Sequence, residues 1–359
     1  MIPLCTFNIF RMPMPQSMDN LLRCCKGKPF CVFSDLDYTC CLAGNGQYAE
    51  TNRSRFGIRE CFMNPDALTA FITLKEQHCP VFFVTGRHWN DVRKDAESGD
   101  FIPDGALNDL LGGKNSPLAA FDAIAGHGRQ IIENGRTRIL KRSDSEEKIK
   151  AERLFRHFVN VRMKALTRLV RTEYPDAAPF VRSECKKHLC YINIIDFPDE
   201  SEKRFNEIFS RIKRQVEYIL EGRNENGEPV KNAPPNPDGV FVSSVDEKGS
   251  VDIRSRSYNK GRALIRSGFM EKAFETGNPV LVSGDSLTGS GTDRDMFLCL
   301  KDFFKSRNAS DRLFLVQVLN SPSSRISDPE DPCRPDIVLN SPDEFGKLML
   351  SLCRRTPYN

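Results

Sequence analysis

Short unbroken apolar runs alternate with stretches of helical period at both ends of the chain. The runs 29–34 (PFCVFS), 80–85 (PVFFVT), 279–283 (PVLVS) and 312–317 (RLFLVQ) are rich in β-branched and aromatic residues, which predicts buried strands. Residues 65–77, 260–267, 295–305 and 342–353 carry the spacing of amphipathic helices, the last of them opening at Pro342. Strand–helix alternation of this kind implies a parallel sheet covered by helices, and the late part of the chain resumes the pattern of the early part. Between 126 and 250 the pattern changes. Two hairpins are expected there, 129–140 turning at Glu133-Asn134-Gly135 and 239–254 turning at Asp246–Gly249, with a further apolar run at 188–195. Two long helices are expected at 146–172 and 201–221. The first places Leu154, Phe155, Phe158, Val161, Ala165 and Leu169 on one face, and the second does the same with Phe205, Ile208, Phe209, Ile212, Val216 and Ile219. These helices should cover one face of a small antiparallel sheet.

The expected fold class is therefore α/β: a Rossmann-like core with a parallel sheet flanked by helices, plus an inserted α+β domain. The boundaries read from the pattern are a flexible, non-helical N-terminal segment at 1–28, core at 29–125, inserted domain at 126–250 and core again at 251–359. Lysine and arginine number 52 against 48 acids, a net charge of only +4, so nucleic acid is not an expected partner. No apolar run approaches the ~20 residues of a membrane span, and Asn8, Arg11, Pro13 and Pro15 break any signal-peptide core, so no membrane is expected either. Thirteen cysteines, an odd number without any CxxC spacing, suit packing in a reducing compartment, which points to the cytoplasm. Export of the protein as an effector is one use the first 28 residues could serve.

Candidate chemistry sits at the ends of the predicted strands. The run at 31–34 is followed by Asp35-Leu36-Asp37-Tyr38-Thr39, two carboxylates on alternate residues just beyond a strand's carboxyl end, where open α/β sheets bind ligands. A polar turn is the alternative. The run at 81–84 leads into Thr85-Gly86-Arg87, where a hydroxyl and backbone N–H groups can hold a phosphate. Lys260, in Asn259-Lys260-Gly261, stands at the start of a helix, where the dipole disfavours a cation unless an anion lies near. The fourth strand end is Gly284-Asp285-Ser286, with Asp293 following before the next helix. Together these residues offer hard oxygen ligands, a cation and a nucleophile, which is what Mg²⁺-assisted phosphoryl transfer needs.

In order and spacing these segments resemble the four signature motifs of the haloacid dehalogenase-like phosphotransferases: DxDxT at 35–39, TGR at 85–87, NKG at 259–261 and GDS at 284–286. The insertion between the second and third motifs resembles a C2B cap, and the chain looks most like the trehalose-6-phosphate and sucrose phosphatases within that superfamily. The resemblance implies Asp35 as nucleophile and Asp37 as acid and base, with Thr85 and Lys260 holding phosphoryl oxygens. It also implies a Mg²⁺ ion held by Asp35, Asp37 through its carbonyl, Asp285 and Asp293. The fourth motif is longer than the family pattern, so that Gly289 stands where a second acid is often found and Asp293 is assigned that role. Thr39, Gly86 and Arg87 extend the phosphate-binding set. Lys187 and His188, polar positions beside a predicted strand of the inserted domain, are candidates for contacts to the leaving group, with plain solvent exposure the alternative. The expected activity is Mg²⁺-dependent hydrolysis of a small-molecule phosphomonoester, in the first place a sugar phosphate such as trehalose 6-phosphate. Two other readings stay open: a phosphatase acting on phosphoprotein or another phosphomonoester, and a catalytically weakened module that binds a ligand or partner.

Overall fold

Helices and strands succeed one another along the computed structural model, which describes residues 15–37, 39–41, 46–56, 63–86, 121–134, 136–139, 145–185, 189–194, 197–198, 202–239, 241–246, 249–255, 259–287, 291–319 and 330–354. In chain order these are α1 (Pro15–Cys25), β1 (Cys31–Ser34), α2 (Gly46–Phe56), α3 (Pro65–Glu76), β2 (Val81–Val84), β3 (Asp122–Ala125), β4 (Gln130–Glu133) and β5 (Arg136–Ile139). Then come α4 (Glu146–Glu173), β6 (Val181–Cys185), β7 (Leu189–Ile194), α5 (Glu202–Leu220), β8 (Phe241–Asp246) and β9 (Ser250–Ser255). The last part holds α6 (Lys260–Ser267), α7 (Phe269–Glu275), β10 (Val280–Gly284), α8 (Arg294–Lys305), β11 (Leu313–Val318), β12 (Ile337–Leu339) and α9 (Pro342–Cys353). The described residues divide into two units, one within 1–139, 260–288 and 292–359, the other within 140–259 and 289–291.

The first unit is built on an eight-stranded sheet of order β12-β11-β10-β1-β2-β3-β4-β5. Strands β12 to β3 run parallel, and β4 and β5 add antiparallel at one edge. Strands β1, β2, β10 and β11 are buried along their whole length, as parallel strands between two helix layers must be. Alternate side chains serve opposite layers. Phe33 stacks on Phe82 and Phe82 on Phe269 of α7, with centroids 4.7 Å apart in both pairs, while Phe83 meets Phe71 of α3 and Phe121 on the other face. Each such ring contributes roughly 1.5–3 kcal/mol by leaving water. Asn64 caps α3 by accepting from the Asp66 and Ala67 amides, and Ser341 caps α9 by accepting from that of Glu344; each helix opens on proline, with its fixed helical φ.

Three sequence boundaries shift, one of them because β9 (Ser250–Ser255), expected to open the second core stretch at 251, pairs with β7 and β8 in the smaller sheet of the second unit, which runs to 259. Residues 15–25, expected to belong to a flexible, non-helical segment, form α1, whose Leu21 and Cys25 are fully buried and whose end is tied by the Gly27 amide to the Leu352 carbonyl at 2.8 Å. The hairpin at 130–139, expected in the inserted domain, instead extends the larger sheet, because Ala123, Ile124 and Ala125 of β3 pair with Ile132, Ile131 and Gln130. Its turn is the expected one, with Asn134 at a φ of 48°, a left-handed value asparagine tolerates.

The second unit is a four-stranded antiparallel sheet, β6-β7-β9-β8, with α4 and α5 on one face. Their core joins Phe155, Val159, Met163, Leu166 and Val170 of α4 and Ile208, Ile212, Val216 and Ile219 of α5 to Val181, Cys190, Ile192, Ile194, Val251 and Ile253 of the strands. Strand β9 alternates half-buried and buried positions, so Asp252 and Arg254 point away from the helices. The stripe read from the sequence on α4 is only partly the buried one: Leu154 and Val161 are 55% and 52% exposed. Apolar residues stand next to each other on this helix at 154–155 and 158–159, so two stripes about 100° apart compete, and the sheet takes the one led by Phe155.

Candidate active site

Register at the centre of the first sheet decides where the candidate residues emerge. Ser34, the last residue of β1, pairs with Ser283 of β10 on one side and Phe83 of β2 on the other. Asp35, Thr85 and Asp285 therefore leave three adjacent parallel strands at the same carboxyl edge. The Asp35 amide donates to the Ser283 carbonyl at 2.9 Å, the Ser34 hydroxyl donates to the Asp35 carbonyl at 2.6 Å, and the Ser283 hydroxyl lies 2.9 Å from that of Ser34. Beyond Asp35 the chain turns sharply, since the Leu36 carbonyl accepts from the amides of Thr39, Cys40 and Cys41. Asp37 is half-buried in that turn and bridges to Cys41.

Lys260 ties the site together. Its ammonium donates to Asp35 Oδ1 at 2.7 Å and to Asp293 Oδ1 at 2.5 Å, and all three groups are at most 4% exposed. Asp293, on the residue before α8, folds back under the fourth strand end: its Oδ2 accepts from the amides of Asp285 and Ser286, both at 3.0 Å. This close approach needs the glycine at 284, because a Cβ there would stand 2.7 Å from Asp293 Oδ2 and 2.8 Å from its Cβ. Arg294 braces the same loop by donating to the Leu287 carbonyl at 3.3 Å and to Asp331 Oδ2 at 2.6 Å.

Two carboxylates around one ammonium leave an excess of buried negative charge. Burial first, and the Asp293 charge next, raise the Asp35 pKa well above its usual range, against the opposing pull of Lys260. Burial alone would lower that of Lys260, but Asp293 and Asp35 outweigh it and hold the ammonium protonated. One oxygen each from Asp35, Asp285 and Asp293 lie within 4.8 Å of one another. An octahedral Mg²⁺ at 2.0–2.1 Å from its ligands spaces their oxygens by about 2.9 or 4.1 Å, so this donor set fits a hard divalent cation. Such a cation would also offset the buried negative charge that raises Asp35.

Thr85 is fully buried, its amide donating to the Ile124 carbonyl at 2.8 Å, and Gly86 follows half-buried. Thr39 is also fully buried, and its hydroxyl has no hydrogen-bond partner. The structure thus brings Asp35, Lys260, Asp285 and Asp293 together at an edge shared with Asp37 and Thr85. Arg87, Lys187 and His188 lie outside the described residues. Three supporting elements went unread in the sequence: the serine pair Ser34–Ser283, the steric need for Gly284, and the Arg294–Asp331 brace. Only the brace left a signal, an arginine directly after the assigned acid Asp293.

No family model matches the chain, and no curated protein matches it in sequence. Solved structures do match. The C-terminal domain of Candida albicans trehalose-6-phosphate phosphatase is 15% identical, with 95% of this chain and 97% of that one covered and a TM-score of 0.52. The C-terminal domain of the Candida albicans trehalose synthase regulatory protein is 12% identical, with 95% and 99% covered and a TM-score of 0.51. An N-terminally truncated IMP-nucleotidase of Plasmodium falciparum is 12% identical, with 95% and 73% covered and a TM-score of 0.43. At such identities the likeness is one of fold, and that fold is the one expected from the motif order in the sequence, a core with its carboxylates at the carboxyl edge of a mainly parallel sheet.

Proposed function

We propose that this protein is a Mg²⁺-dependent phosphatase that hydrolyses a small phosphomonoester, in the first place a sugar phosphate, through a phosphorylated Asp35. The observation that carries this reading is the buried bridge from Lys260 to both Asp35 and Asp293. Holding two carboxylates together out of water is costly, and a chemical use for the charged cluster at this strand edge supports its being kept. In the first step an Asp35 oxygen attacks phosphorus, the bond to the leaving oxygen breaks, and protonated Asp37 gives its proton to that oxygen. In the second, Asp37 takes a proton from the attacking water, the aspartyl–phosphate bond breaks, and phosphate leaves. Lys260 and Thr85 hold phosphoryl oxygens, while Asp293 fixes Lys260 and the loop carrying Asp285. Asp35 and Asp285, with Asp293 and the Asp37 carbonyl, are the groups to hold Mg²⁺, which when bound supplies positive charge for the loose, oxygen-centred charge of phosphoryl transfer.

For the leaving group we propose recognition by the second unit acting as a cap. The sheet face opposite its helices is polar: Arg182 pairs across to Asn193 and Tyr191 to Asp252, and the Asn193 side-chain oxygen is buried without a partner. Such a face suits a hydroxyl-rich sugar, and trehalose 6-phosphate heads the substrates to try because a phosphatase named for it shares the fold. The non-catalytic alternative has one observation in its favour, the regulatory protein among the neighbours of the same fold.

The test is phosphate release, with and without Mg²⁺, from trehalose 6-phosphate, sucrose 6-phosphate, hexose phosphates, inositol phosphates, nucleoside monophosphates and phosphopeptides, with Asp35→Asn as the blank. Metal-dependent turnover lost in the variant is expected. Folded protein silent on the whole panel would favour the binding module.

A further inference from the structure

Helix α4 carries an apolar stripe that its own sheet leaves partly uncovered. Leu154 and Val161 are more than half exposed and lie seven residues apart, hence on one face two turns from each other. Exposed Ala165 and half-buried Leu169 continue the same line at spacings of four, and half-buried Phe158, which also packs against the unit's own core, lies within it. From 154 to 169 the stripe runs about 22 Å at 1.5 Å per residue. Its C-terminal end opens into a cleft of about 410 Å³ between α4 and α5, floored by Ala165, Leu166, Leu169 and Ile219.

Between 150 and 172 the exposed charges beside this stripe have one sign, and Glu225 is the one acid among the described residues lining the cleft. Lys150, Arg153, Lys164 and Arg168 are exposed along it, and the only acid between 150 and 172, Glu152, is buried. Arg168 and Arg162 also line the cleft, Arg162 paired with Glu225. The exposed positions of neighbouring α5, by contrast, mix Glu202, Glu207 and Glu217 with Lys203 and Arg214. An apolar line about four turns long, ending in a cleft and flanked by cations, is complementary to one kind of partner.

We infer that the outer face of α4 docks an amphipathic helix of another protein, one whose apolar stripe is flanked by Asp and Glu. A second copy of this chain would set these cations against each other. A membrane surface would need a broader apolar face than two large exposed side chains provide, since the other apolar face of α4 is spent on the sheet. The site is independent of the proposed phosphatase activity.

The experiment uses the full chain and a fluorescein-labelled synthetic helix of about 18 residues, with Leu at i, i+3, i+4 and i+7 and Glu at the flanking positions. A twin peptide carries Lys at every Glu. Anisotropy is expected to give affinity for the Glu peptide about tenfold or more above that for the Lys twin, weakening as salt screens the charges. The double variant Leu154→Glu/Val161→Glu, whose circular dichroism and phosphate release should match the parent, is expected to lose about tenfold or more of that affinity. Reversal of the peptide preference by Lys164→Glu/Arg168→Glu would support the charge part separately. Equal affinity for the two peptides, or unchanged binding by the double variant, would overturn the proposal. So would a concentration-dependent dimer, or binding to phosphatidylserine vesicles, that depends on Leu154 and Val161 in place of peptide binding.

Discussion

Replacing Lys260 with methionine keeps most of the stem and removes the ammonium from between two carboxylates. Asp35 and Asp293 are 4% and 0% exposed, so water does not take the place of the lost charge. Removing one partner of a buried ion pair costs about 3–5 kcal/mol. At about 2–4 °C per kcal/mol for a unit of 150–250 residues, the Tm of the metal-free variant should fall by about 6–20 °C at pH 8. The sign with pH follows from Asp35. Its folded pKa already lies above the ordinary 3.8, through burial first and Asp293 next, and Lys260 is what opposes that rise. In the variant the folded pKa climbs further, so the native state binds a proton that the unfolded chain releases. The deficit is then full above the folded pKa and shrinks as pH falls through it toward 3.8. Thermal melts followed by circular dichroism, from pH 5 to 8 in EDTA and again in Mg²⁺, should show a larger loss at pH 8 than at pH 5, with partial recovery in Mg²⁺ as the ion restores positive charge. A variant melting within about 2 °C of the parent at both pH values, or one with a pH-independent deficit, would refute the view of this cluster as a charge-balanced buried site.

Gly284→Ala forces a Cβ to 2.7 Å from Asp293 Oδ2, and should cost about 1–3 kcal/mol in thermal melts and about 10–100-fold in kcat through a displaced loop; full activity would mean that the loop's position is unimportant. Asp331→Ala frees Arg294, whose guanidinium also holds the Leu287 carbonyl. Because that pair is partly exposed, the metal-free Tm should change by about 2 °C or less, while the Mg²⁺ concentration for half-maximal thermal stabilisation rises about 3–10-fold; an unchanged Mg²⁺ midpoint would remove the brace from the metal site. Asp336, raised by burial above 3.8, accepts from the Leu315 amide at 2.9 Å. Its ionisation in the native state subtracts stability as pH rises from 3.8 through its folded value, so Asp336→Asn, which keeps an acceptor for Leu315, should flatten that part of the stability–pH curve; an unaltered slope would show that Asp336 ionises as easily folded as unfolded.

What the sequence makes legible is what local pattern encodes. Strands β1, β2 and β10 are readable because a parallel strand buried on both faces must be apolar without interruption, and α9 because Ser341 and Pro342 mark its start. Helix α1 carries Met18, Leu21, Leu22 and Cys25 at helical spacing but over only 11 residues, a stretch too short to stand out, and the weakly amphipathic α2 gives no signal strong enough to set it apart from a loop. The hairpin β4–β5 is legible from its turn, but the sheet it joins is decided by pairing with β3, which no turn residue specifies. On α4 the periodicity is real twice over, and only contact with the sheet, where Phe155 meets the ring of Phe241 on β8, selects Phe155 over Leu154 as the inward residue. The candidate site follows the same rule. Its four motifs stand out because each strand end is short and self-contained, whereas the link between them is long-range. A lysine on the first turn of α6, where the helix dipole repels it, implies a nearby anion without saying which one. The structure supplies two, from 225 residues before it and 33 residues after it. The second depends on a turn between Asp285 and Asp293 that brings a carboxylate back under two backbone amides, past a glycine that leaves it room. A local sequence reading can therefore name the charges of this cluster, but their balance, and with it the pH and metal responses predicted above, belongs to the folded chain.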